Sequence, residues 1–120
     1  MSDPRHQSRV DLMQRLFACT FSEQTLKECK KNGEEELIEI VQSLEEIDKE
    51  IQETAPERPL GEINKVDLAI MRLIVFESKN KNTPKKVLVD EGIELAKEFG
   101  SDSSPKFVNG VLAKILLDRN

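Results

Sequence analysis

The chain has 120 residues, 38% of them hydrophobic and 34% charged, with no Trp or Tyr and a formal net charge of −5. That length suits one compact domain, and the net acidity excludes a protein that holds nucleic acid by bulk charge alone. The acidity is concentrated in residues 21–62, at −8, while residues 1–20 carry +1 and residues 63–120 carry +2. Both ends therefore have the composition for a locally basic surface, and four lysines lie close together at Lys79, Lys81, Lys85 and Lys86.

Asp3-Pro4 pairs a capping acid with a proline at the first helical position. From there Val10, Met13, Leu16 and Phe17 mark one face of a helix running to about Cys19. Ser22 starts a short helix to about Lys31, which Gly33 breaks. Leu37, Ile38, Val41, Leu44, Ile47 and Ile51 then form a stripe at spacings of three and four, predicting one acidic-faced helix over 34–53. "TAPERPLG", residues 54–61, has two prolines and a glycine and reads as a linker between an N-terminal helical part, 1–55, and a C-terminal part, 62–120.

In "INKVDLAIMRLIVFES", Ile63, Val66, Ala69, Ile70, Leu73 and Ile74 build the broad face of a central helix. Thr83-Pro84 restarts a helix by the same cap-then-proline pattern; Val87, Leu88, Ile93, Ala96 and Phe99 are its inner side, and Gly100 stops it. Its "KVLVD" has strand-like composition, but the flanking proline and the helical spacing that follows favour helix. Gly92, in its middle, predicts a close helix crossing. Ser104-Pro105 opens a last helix with Val108, Val111, Leu112, Ile115 and Leu116 inward. The fold class is all-α, a bundle of two small packed helical subdomains.

Chemistry for catalysis is not legible. No glycine pattern matches a phosphate loop or dinucleotide fingerprint, and "GSDS" at 100–103 lacks the strand a nucleophile elbow requires. Asp90, Glu91 and Glu94 stand at helical spacing, as carboxylates of a solvated face do. Two cysteines ten apart and one histidine fall short of a zinc ligand set, and Cys19, near an apolar face, reads as a small buried thiol. No catalytic residue, metal or cofactor is expected. The polar N-terminus and the absence of a long apolar run are those of a soluble cytoplasmic protein.

Three stretches carry a likeness to one family: "DLAIMRLIVFE" (67–77), "TPKKVLVDEGIELAKEFG" (83–100), and Asp102 with the "SSPKFVNGVLAKI" that follows it (to 115). In order and spacing they resemble the bacterial transcription antitermination factor family NusB. The likeness is close over 63–116 and looser over 4–20. It implies an all-helical, non-catalytic RNA-binding protein that pairs with the small-subunit ribosomal protein also known as NusE. Together they would bind boxA elements of nascent ribosomal RNA leaders within the RNA polymerase antitermination complex.

Carried onto this chain, the resemblance implies an RNA surface of Arg5, His6, Arg9, Phe99, Ser103, Lys106 and Phe107, and a partner surface of Phe17 and Asp67. Helical spacing alone also allows Phe17 and Phe107 to be core residues. Asn109 and Gly110 are expected to be structural, with Gly110 admitting a neighbouring helix. Two other readings stay open. One is a protein-interaction module, monomer or homodimer, with little RNA binding. The other is a detached N-terminal domain of a ribosomal RNA cytosine methyltransferase, whose cofactor domain 120 residues cannot hold.

Overall fold

The computed structural model describes residues 3–118, and among them seven α-helices and one 3₁₀ turn account for all regular structure. Asp3 closes the start of α1 (Pro4–Cys19): its carboxylate accepts the Arg5 N–H at 2.9 Å, and Pro4 removes an amide that would otherwise lack a partner. Val10, Met13, Leu16 and Cys19 are the buried apolar face of α1. In the capping box of α2 (Glu23–Asn32), Ser22 Oγ accepts the Thr25 N–H at 3.1 Å and Thr25 Oγ1 accepts the Ser22 N–H at 2.9 Å.

Helix α2 buries no residue fully; Leu26 and Cys29 lean on the core, and Cys29 is disulfide-bonded to Cys19 across a Cα–Cα distance of 5.8 Å. Cys19 is buried as its spacing predicted, but as half of a cross-link and not as a thiol.

The acidic helix expected over 34–53 is two helices, α3 (Glu35–Gln42) and α4 (Leu44–Thr54). Ser43 interrupts them: its hydroxyl donates to the Glu39 carbonyl, and its own N–H turns back to Ile40 at 3.0 Å. Hydroxyls that bond to nearby carbonyls bend or end helices. The bend lets Leu37, Ile40 and Val41 of α3 and Ile47 and Ile51 of α4 all reach the core. In the linker, Leu60–Glu62 makes a 3₁₀ turn, and Ile63 is buried ahead of the next helix rather than inside it. Asn64 caps α5 (Lys65–Asn80), its side chain accepting the Val66 and Asp67 N–H groups.

Helix α5 is buried nearly all round between Asp67 and Glu77, because α1, α3, α4, α6 and α7 all pack on it. The buried side chains of both halves of the chain form one cluster, with Ile70, Leu73, Ile74, Ala96, Val111 and Leu112 together in it. Ion pairs tie α4 to α5 at its rim: Arg72 grips Asp48 with two bonds of 2.8 Å, and Lys79 reaches Glu50 at 3.1 Å.

Helix α6 (Lys85–Phe99) begins after Pro84 without a side-chain cap. The Thr83 hydroxyl donates instead to Glu77 Oε2 at 2.8 Å, so a tertiary acceptor has taken the expected capping group. The buried face is Leu88, Val89, Gly92, Leu95 and Ala96; Val87, expected inside, is exposed, and Ile93 and Phe99 are half-buried. Helix α7 (Ser104–Leu116) crosses α6 at Gly92, where an added Cβ would stand 2.5 Å from Leu112 Cδ1. The predicted close crossing is therefore at Gly92. Gly110 has nothing within 4 Å of its Cβ direction and Asn109 is exposed, so the expectation that Gly110 admits a helix is wrong.

Candidate nucleic-acid interface

Of the sequence-predicted RNA residues, Arg5 and Arg9 line one feature and Ser103, Lys106 and Phe107 a separate one, while His6 and Phe99 line neither. The first is a cleft of about 750 Å³ between the start of α1, the α5–α6 turn and α6, lined by Arg5, Ser8, Arg9, Lys81, Thr83 and Glu91 among others. Arg5 is exposed at this cleft. Arg9 is not available to a ligand in the same way. It is only 9% exposed, and its guanidinium meets Glu77 with two bonds of 2.9 and 2.7 Å and donates to Glu91 Oε1 at 2.7 Å.

These bonds raise the Arg9 pKa, Glu77 contributing most. For Glu77, burial works to raise the pKa, but hydrogen bonds from Arg9 and Thr83 and the charges of Arg9 and Lys81 hold it below its ordinary value. Arg9 thus stays charged while spending that charge inside the protein.

His6 sits one turn earlier, half-buried between two carboxylates of α6: Nε2 lies 2.5 Å from Glu98 and Nδ1 3.2 Å from Glu91. Burial disfavours its charged form, but the hydrogen bonds to Glu98 and Glu91 outweigh that and raise its pKa above 6.5. Glu91, read from sequence as part of a solvated acidic face, is the hinge of this network, holding both His6 and Arg9. Of the four clustered lysines, Lys81 pairs with Glu36 at 2.8 Å and Lys79 with Glu50, whereas Lys85 and Lys86 make no ion pair among the described residues.

The second feature is a groove of about 410 Å³ between the end of α4, the linker and α7, and it gathers Ser103, Lys106 and Phe107 with Arg58 and Lys114. The Phe107 ring is half-buried, packs against the core on one side and carries the Arg58 guanidinium 4.4 Å from its centroid. Lys106 and Ser103 are exposed, and Phe99 is half-buried against the core at the end of α6.

Sequence reasoning missed Arg58, although it is the only base between residues 50 and 64. It also missed Glu91 and Glu98 as partners of His6, since nothing local in sequence links positions 85 and 92 residues apart.

The two residues expected at a protein partner are placed differently from each other. Phe17 is half-buried, its ring 6.4 Å from that of Phe21, which is 59% exposed and has Lys65 Nζ 5.0 Å from its centroid. A small pocket beside them is lined by Phe17, Leu60, Lys65 and Leu68. Asp67 faces no solvent: it is buried under the start of α7, and burial raises its pKa against a hydrogen bond from Ser104 and the charge of Arg58.

Comparison with known proteins places this geometry. The model of the NusB family matches residues 6–117. The chain belongs to the NusB family. The transcription antitermination protein NusB of Clostridium novyi is 34% identical over 129 residues, spanning 93% of this chain and 97% of that one. Its counterpart in Campylobacter curvus is 38% identical, over 90% and 92%. The Roseiflexus sp. NusB is 44% identical over 73 residues, a stretch that spans 58% of this chain and about half, 51%, of that relative. Among solved structures, T. maritima NusB superposes with a TM-score of 0.72 at 30% identity, over 97% of this chain and 92% of that chain. The all-α NusB fold read from the sequence is the fold observed. Among the described residues, no helix is long and apolar enough to cross a membrane.

Proposed function

We propose that this protein is a transcription antitermination factor that binds boxA-type single-stranded RNA in ribosomal RNA leaders, together with the ribosomal protein NusE. Family membership over nearly the whole chain, with relatives named for antitermination, carries the reading. The two features on α1–α6 and α7 are in keeping with it: the first offers Arg5, and the second offers Arg58, Lys106 and Lys114 with an aromatic ring for a base.

The supply of cations is small. Among the described residues, Arg5, Arg58, Lys106 and Lys114 line the two features without an ion pair, while Arg9 and Lys81 are paired to carboxylates. With three or four phosphate contacts on a chain of charge −5, RNA affinity alone is weak, and log K falls with log salt at roughly −2 to −3, taking about −0.7 per contact. A basic ribosomal protein bound beside the RNA would supply the missing positive charge. Phe17 and Phe21, with Lys65 over the second ring, are the partner surface this reading uses; Asp67, buried, acts through the α7 start it supports.

Transcription of a template carrying boxA upstream of a terminator tests the reading. Added protein with the ribosomal partner should increase read-through, and a scrambled boxA should abolish the gain. Equal read-through with and without the protein would count against an antitermination role.

A further inference from the structure

The groove beside α7 contains a pairing that the RNA-binding reading does not itself require. Arg58 holds its guanidinium carbon 4.4 Å from the Phe107 ring centroid, yet Arg58 is exposed. Its backbone is held firmly. The Arg58 N–H donates to the Ala55 carbonyl at 3.2 Å, and its carbonyl accepts from Gln52 Nε2 at 2.8 Å. Gln52 also bonds the Ala55 carbonyl and the Leu60 N–H, so one side chain pins the linker on both sides of Arg58. The result is a fixed aromatic platform with a planar cation tethered above it by a pinned backbone. Lys106 and Lys114 line the same groove, and Glu57 is the one acid among its lining residues, in a chain that is acidic overall.

We infer that Arg58 is a clamp for one unpaired RNA base on Phe107, resting on the RNA-binding reading above but adding two residues to it. In the free protein the guanidinium covers the ring face that a base would use. On binding, the base takes the ring, Arg58 closes on the base's outer face, and Lys106 and Lys114 take the flanking phosphates. Stacking between a ring and a guanidinium is tolerant of base identity, and a base locked in a duplex cannot enter. The groove therefore selects single-stranded over double-stranded RNA.

The 120-residue chain should be titrated with a single-stranded RNA decamer carrying 2-aminopurine at successive positions, and with its duplex. Binding should quench the fluorophore at one position, and Phe107→Ala should abolish that quenching. Arg58→Ala should weaken single-strand binding roughly tenfold with the salt slope nearly unchanged, whereas Lys114→Ala should flatten the slope by about 0.7. Arg58→Lys should keep the slope and still lose most of the affinity, since an ammonium cannot stack as a plane.

Arg58→Lys keeps the charge that acts on buried Asp67, so its melting curve should match the wild type, whereas Arg58→Ala should melt slightly lower. Wild-type affinity in Arg58→Ala, full recovery in Arg58→Lys, or duplex binding as tight as single-strand binding would each overturn the clamp and leave the RNA-binding reading standing. A wild-type chain that binds neither RNA, with or without the ribosomal partner, overturns both.

Discussion

Arg9→Ala removes the cation at the centre of the α1–α5–α6 junction, and the geometry sets the size of the effect. The guanidinium makes three charge-assisted bonds, of 2.9, 2.7 and 2.7 Å, to carboxylates that are themselves largely shielded, Glu77 being only 6% exposed. Each such bond is worth about 1.5–3 kcal/mol in isolation, but three on one group do not add, and the desolvation of both charges offsets much of the gain.

Removal of one partner is the costly change. Glu77 would keep only the Thr83 hydroxyl at 2.8 Å and the more distant charge of Lys81. Leaving a buried carboxylate unpaired costs about 3–5 kcal/mol. At roughly 3–5 °C per kcal/mol for a domain of this size, Tm should fall by about 9–25 °C in melts followed by circular dichroism. Arg9→Lys should recover little, since a point charge cannot span both carboxylates. Arg9→Met combined with Glu77→Leu should melt above either single variant, because the most deeply buried carboxylate goes with its partner and Glu91 keeps His6. RNA titrations below the melting range should give an unchanged salt slope. An Arg9→Ala protein that melts within about 2 °C of wild type, with a slope flattened by about 0.7, would refute the buried tie and make Arg9 a phosphate contact.

Three other outcomes follow from named contacts. Gly92→Val should cost roughly 1–3 kcal/mol by overpacking against Leu112, whereas Gly110→Ala, in open space, should gain up to about 1 kcal/mol of helix stability; urea unfolding of the two separates them. The raised pKa of His6 means that its pairing with Glu98 and Glu91 contributes stability fully below about pH 6.5 and loses it as pH rises through the raised value. A Tm profile from pH 5 to 9 should show that decline in wild type and lack it in His6→Gln. Reducing the Cys19–Cys29 bridge, which closes a loop of ten residues' separation, should cost roughly 2–3 kcal/mol in melts with and without a dithiol reductant.

What could be read without coordinates was mostly what is local. The Asp3-Pro4 start is legible because cap and capped amide are two residues apart. The same pattern at Thr83-Pro84 misled because Glu77, fixed by Arg9 from another helix, offers the Thr83 hydroxyl a better acceptor. Gly92 and Gly110 look alike on a helical pattern; only the path of α7 over α6 decides which one faces a neighbour. Arg5 and Arg9 lie one turn apart on α1, and the carboxylates that take Arg9 out of the solvent are 68 and 82 residues away. Arg58 escaped notice because a lone base in a proline-rich linker has no periodicity to betray its target. The resemblance implied Phe107 as an RNA contact; the ring is half-buried with Arg58 over it, and that companion across the groove is a matter of tertiary packing.

On the proposed function, a chain with so few unpaired cations should need a ribosomal protein to hold single-stranded boxA-type RNA tightly. A fluorescence titration of that RNA, at several salt concentrations, with and without the ribosomal partner, decides whether this is so. Binding alone should be weak, with a log–log salt slope of roughly −2 to −3, tightened at least tenfold by the partner and lost on scrambling the RNA. No binding in either condition, or equal affinity for the scrambled RNA with the partner present, would contradict it.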